Sequence, residues 1–156
     1  PLCGCGKRGC LHVYASGMAM GRMAERLIAE GRPSALSAPP SQGGPITGEA
    51  VCAAAAKGDA VARECLREAA SWLGFALANL ITTYNPDKAI IGGPIGLMEG
   101  PLLELVKEEA AKWAMPHAFR AVSIERGALG ESVGALGGAC LVLDRKLALA
   151  TSVRSR

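Results

Sequence analysis

Three of the chain's six cysteines, Cys3, Cys5 and Cys10, fall in one short stretch with Gly4, Gly6 and Gly9 between them. No other feature limits the possible folds so sharply. Glycine reaches backbone conformations closed to other residues, so the stretch can close tightly and bring the thiols together. Thiols crowded this closely are bridged, oxidised or bound to an ion. Thiolate-rich sites favour zinc, at ~2.3 Å from sulfur with four ligands in all. Cys3, Cys5 and Cys10 are therefore candidate metal ligands for a structural zinc that stiffens the turn. A fourth ligand could be His12, a residue before Pro1, or water. The plainer alternative is three free thiols at a flexible end. His12 has three readings: ligand, substrate contact, or a half-exposed imidazole at a helix start.

Cys52, Cys65 and Cys140 lie in Ala/Leu-rich helical text, where a free cysteine acts as a small core hydrophobe. A disulfide framework does not emerge, and a reducing, cytoplasmic setting is the expectation. Half of the 156 residues are hydrophobic and only 4% aromatic, so the core must come from Ala, Leu, Ile, Val and Met. That length suits one domain. The net charge of +3 is scattered along the chain. There is no basic stripe with interleaved aromatics, so nucleic acid is not expected to bind this chain. No apolar run reaches the ~18 residues of a membrane span.

The periodicity predicts helices from about Val13 to Glu30, broken at Ser16-Gly17 with Ser16 as a cap. A Pro/Ser/Gly-rich loop follows over 32–44. Thr47 caps a short Ala-rich helix ending near Gly58. Asp59 caps a long one, Ala60 to Thr83, with its apolar stripe at Ala62, Cys65, Leu66, Ala69, Leu73, Leu77, Leu80 and Ile81. Gly74 in mid-helix costs ~1 kcal/mol against Ala, so it points to close approach of a neighbour. Asn85-Pro86 ends the helix. Lys88–Ile91 reads as a buried strand, and Pro101 opens a helix to about Trp113. His117 reads as a surface loop residue. Ala121–Glu125 reads as a second strand. A last helix over Glu131 to about Leu149 carries small residues at Gly134, Gly137 and Gly138. Strand–helix–strand with apolar strands implies a parallel pair and α/β architecture. Two strands make a poor sheet, so either a further strand lies unrecognised in this stretch or the sheet is completed by chain not included here. Residues 1–150 form the expected domain and 151–156 a flexible tail.

Gly92-Gly93, directly after the first strand, would let a flat ligand lie against bare backbone at the strand's C-terminal end. A tight strand-to-helix turn alone would also use them. There is no Walker A pattern, no Ser-His-Asp constellation and no obvious general base.

The loop CGCGKRGCLHVYASG resembles the Cys-x-Cys-Gly-x-x-Gly-Cys-x-Glu signature of the ROK family (repressors, open reading frames and kinases). Cys3, Cys5, Gly6, Gly9 and Cys10 match in place. ASWLGFALANLITTYNPDKAIIGGPI is similar to the family's long helix, Asn-Pro turn and adenosine-side strand, and RGALGESVGALGGACLVL to its closing helix. The resemblance implies the C-terminal half of an actin-like ATPase (ribonuclease H-like) fold. It implies an ATP-dependent sugar kinase, glucokinase-like, with Mg2+ on the phosphates, or else the sugar-sensing part of a repressor. Cys3, Cys5 and Cys10 would hold zinc, with an upstream His as fourth ligand. Gly92 and Gly93 would lie beside the adenosine. A homo-oligomer is expected. The family's catalytic Asp and phosphate loops precede this region, so this stretch is not expected to phosphorylate sugar alone. His12 stands where the family has a sugar-contacting Glu. An imidazole offers one donor and one acceptor where a carboxylate only accepts.

Overall fold

The computed structural model describes residues 1–37, 44–98 and 100–154, with side-chain surroundings for all of these except residues 131 and 145–154. The helices start where the capping residues place them. Leu11 precedes a single turn, α1 (His12–Ala15), and Ser16 separates it from α2 (Gly17–Ala29). The Ser16 hydroxyl accepts from the Ala19 N–H at 3.1 Å. Thr47 does the same for α3 (Gly48–Ala56), accepting from Ala50 at 3.2 Å, and Asp59 for α4 (Ala60–Tyr84), accepting from Ala62 at 2.8 Å. Each cap satisfies a backbone donor that the first turn leaves unpaired. Asn85 ends α4 in the left-handed conformation, φ 45°, which Asn tolerates better than most residues.

Two strands follow, β1 (Lys88–Ile91) and β2 (Ser123–Arg126), paired in parallel with Lys88 opposite Ser123 and Ile91 opposite Arg126. The connection holds α5 (Gly93–Leu97), α6 (Leu102–Trp113) and α7 (Pro116–Ala121). After β2 a 3-10 turn, Gly130–Ser132, leads into α8 (Val133–Arg154).

The main core is formed by α2, α3, the first half of α4 and the start of α6, around Met20, Val51, Val61, Leu66 and Val106. A smaller cluster joins Ala78 and Ile81 of α4 to Ala114 and Ala118. Gly74 lies where α4 meets α6. A Cβ there would run into the Glu109 Cβ and stand 2.9 Å from the Ala110 nitrogen and 3.0 Å from the Val106 oxygen. The mid-helix glycine therefore serves the close approach its position suggested.

Several expectations are corrected. The strand expected to be buried alternates instead, with Lys88 and Ile90 exposed and Ala89 and Ile91 half-buried. Ile91 packs against the helical core, while Ile90, pointing to the other face, lines an open cavity. Leu80 leaves the buried stripe of α4 at 53% exposure, because toward the end of this 25-residue helix the buried positions are Ala78 and the expected Ile81. Cys52 and Cys65 are buried as expected, but Cys140 is exposed on α8. His117 is exposed, in the first turn of α7 rather than in a loop. The final helix runs to Arg154, past its expected end near Leu149. The expected loop over 32–44 holds a 3-10 turn, Ala35–Ser37, and its residues 38–43 lie outside the described ones.

Candidate functional site

The thiolate loop closes as its glycines allow. Leu2 and Arg8 form an antiparallel bridge. Inside it the Cys3 N–H donates to the Lys7 carbonyl at 2.8 Å, and the Gly6 N–H to the Cys3 carbonyl at 2.9 Å. Gly6 and Gly9 sit at φ 82° and 80°, in the left-handed region that a β-carbon disfavours. The three sulfurs lie within 4.8 Å of one another, and Cys5 and Cys10 are 3.5 Å apart. Two thiolates on one tetrahedral zinc, each at ~2.3 Å, stand about 3.8 Å apart. The spacing of the sulfurs is close to what three ligands of one zinc-sized ion need. The thiols are electrostatically unequal. A hydrogen bond from the Lys7 backbone, then the Cys10 and Cys3 thiols, hold Cys5 below the ordinary thiol value. Cys10, hydrogen-bonded to Cys5 and then Cys3, is pushed up to about 11. Among the described residues, His12 is not in this group.

His12 instead lines a cavity of about 520 Å³ together with Arg22, Glu25, Thr47, Glu49 and Pro94. The loop carries the chain directly into α1, so the thiol cluster and His12 are neighbours along the backbone. Glu25 is engaged, accepting from the Ile46 N–H at 3.0 Å. The close seating of α2 on the segment before α3 also depends on glycine. A Cβ at Gly21 would collide with the Ile46 carbonyl, and one at Gly48 with Gly17.

At the other end, Gly92 is the N-cap of α5 and Gly93 has φ 65°. A Cβ on either would meet nothing within 4 Å, so bare backbone faces open space. That space is a cavity of about 450 Å³, walled by Ile90, Leu97, Leu129, Gly130 and Val133. Its apolar walls and exposed backbone suit a flat heterocycle with polar edges. A third cavity of about 510 Å³, lined by Glu49, Gly93, Pro94, Met98 and Val133, shares residues with both. Through these shared residues the three adjoin in series from His12 to Gly92-Gly93, as a trough of three cavities. The sequence marked its two ends and missed its middle. Glu49, in the first turn of α3, carries no motif, and only tertiary packing, with Met98 after α5 lying against Cys52 and Gly48 of α3, brings it to the trough.

The solved and curated relatives agree with this architecture. The chain is 34% identical over 144 residues to a glucokinase of Halalkalibacterium halodurans, covering 92% of this chain and 44% of that protein. It is 28% identical over 142 residues to the DNA-binding transcriptional repressor Mlc of Escherichia coli, covering 91% of this chain and 34% of the repressor. The crystal structure of a ROK family glucokinase from Streptomyces griseus in complex with glucose and AMPPNP superposes with a TM-score of 0.73 at 32% identity. That match covers 90% of this chain and 46% of the kinase chain. The chain thus spans between a third and a half of the length of these relatives. Its fold is the helix-rich α/β part of the actin-like ATPase architecture, with a short parallel strand pair. The ROK family model matches residues 1–145, and the chain belongs to the ROK family.

Proposed function

We propose that this chain is the C-terminal part of an ATP-dependent, glucokinase-like sugar kinase. The observation that carries the reading is the series of adjoining cavities, with His12, just after the thiol loop, at one end and bare Gly92-Gly93 backbone at the other. The hexose takes the His12 end and the adenosine of ATP the glycine end. Cys3, Cys5 and Cys10 hold a structural zinc, with the fourth ligand from a preceding His. The ion's role is to stiffen the loop and so position His12. When bound, Mg2+ neutralises the phosphates of ATP. Residues of this chain bind and orient, while the base that takes the sugar hydroxyl's proton belongs to the family's preceding region. On this reading the 156 residues alone do not turn over ATP and hexose.

The protein is proposed to be cytoplasmic; no helix among the described residues is long and apolar enough to cross a membrane. A homo-oligomer is proposed as well. It is supported by the exposed aromatic row on α4 and α6, where Trp113 is 61% exposed and Phe75 meets it edge-on at 5.6 Å. The repressor reading keeps its place because of the similarity to Mlc. A coupled assay on the full-length protein, with ATP and a panel of hexoses, separates the two. Hexose-dependent ADP release supports the kinase. Sugar-dependent DNA binding without turnover supports the repressor.

A further inference from the structure

Glu49 is the one charged side chain shared by the His12 cavity and the middle cavity of the trough. It is exposed, in the first turn of α3. Thr47 fixes that turn by accepting the Ala50 N–H at 3.2 Å, which sets the direction in which Glu49 leaves the helix. The other carboxylate of the His12 cavity, Glu25, already accepts from the Ile46 N–H. Glu49 makes no hydrogen bond or ion pair among the described residues. His12 brings one donor and one acceptor, and Glu25 has one oxygen committed to Ile46, so Glu49 is the carboxylate of this cavity with both oxygens uncommitted among the described residues. An ionised carboxylate has two oxygens and only accepts, which matches a pair of neighbouring hydroxyls.

We propose that Glu49 accepts hydrogen bonds from a vicinal hydroxyl pair of the ligand lying across the trough. This rests on the kinase reading above and adds to it a specificity-determining residue. A vicinal pair can come from the hexose or from the ribose of the nucleotide, since Glu49 faces both cavities.

The test is calorimetric titration of the full-length protein with glucose and, separately, with ATP, for wild type, Glu49→Gln and Glu49→Asp. Hydrogen bonds to a charged acceptor predict that Glu49→Gln weakens one of the two ligands about 10-fold or more, while Glu49→Asp keeps part of the affinity. Weaker glucose with ATP unchanged assigns the hexose. Weaker ATP, with 2′-deoxy-ATP equally weak for wild type and variant, assigns the ribose. If Glu49→Gln leaves both affinities within twofold of wild type, the proposal is overturned. Tighter ATP binding with glucose affinity unchanged also overturns it, because that is what removing a negative charge near phosphates does when no hydroxyl contact is lost. Wild-type protein that binds neither ligand sinks the kinase reading itself, and this proposal with it. The thermal midpoint of Glu49→Gln should match wild type, since the side chain is exposed.

Discussion

Gly74→Ala tests whether helix propensity or packing decides stability at the α4–α6 contact. Propensity alone favours the change by ~1 kcal/mol, because alanine restricts the unfolded chain and suits a helix interior. The structure opposes it. The added Cβ meets the Glu109 Cβ well inside van der Waals distance, and backbone atoms of Ala110 and Val106 at 2.9 and 3.0 Å. Two of those three neighbours are backbone, so no side-chain rotation relieves the clash and α6 must move outward. Overpacking of a tight core costs ~1–3 kcal/mol, occasionally more. With three neighbours crowded at once we take the upper end of that range, which leaves a net loss of about 2 kcal/mol. In a domain of this size that lowers the unfolding midpoint by roughly 4–8 °C. Thermal unfolding followed by tryptophan fluorescence suits the question, because Trp72 stands on α4 beside Gly74 and Trp113 ends α6. A midpoint equal to or above wild type would refute the argument that the two helices meet through the glycine.

Three further predictions concern the site and its support. Gly92 has φ −114°, open to any residue, and free space for a Cβ; Gly92→Val should keep the melting temperature yet raise KM for ATP about 10-fold, with KM for hexose unchanged. Serine at Cys5 or Cys10 should lower zinc, measured by plasma mass spectrometry, from one ion per chain to well below half, and hexose affinity should fall with it. Asp59 links α4 to the preceding segment, accepting from Ala62, Ala35 and the Ser34 hydroxyl. Partial burial pushes its carboxyl up, but the backbone N–H groups of Ala62 and Ala35 and the Ser34 hydroxyl together hold it below its usual value of 3.8. A depressed carboxyl stabilises the fold above the unfolded value of 3.8 and loses that contribution as pH falls through the lower folded value. Asp59→Asn should flatten the acid limb of a stability–pH curve, and Asp59→Ala should cost about 1–2 kcal/mol at pH 7.

What was legible in the sequence is what local chemistry dictates. Ser16, Thr47 and Asp59 announce three helix starts because a cap acts within its own turn. Gly74 announces a crossing because nothing local excuses a glycine there. The sulfurs of Cys3, Cys5 and Cys10 meet within a short glycine-rich loop, where local backbone conformation alone brings them together. What was not legible depends on distant partners. The exposure of Ile90 and Cys140 follows from how many layers cover the sheet and α8, which β-branching and alanine content do not encode. The short helices α5 and α7 were hidden because Gly93-Pro94 and Met115-Pro116 read as breaks, yet proline fits a helix's first turn. The trough draws His12, Glu49, Pro94 and Val133 from four separated segments, so no spacing pattern contains it.

The central claim is that one trough holds the sugar beside the thiolate loop and the nucleotide on bare glycine backbone. A crystal structure of the full-length protein with glucose and a non-hydrolysable ATP analogue tests it most directly. The account predicts adenine against Gly92 and Gly93, glucose within hydrogen-bond reach of His12, and a metal ion on Cys3, Cys5 and Cys10. Adenine bound away from the two glycines, or glucose outside the His12 cavity, would contradict it.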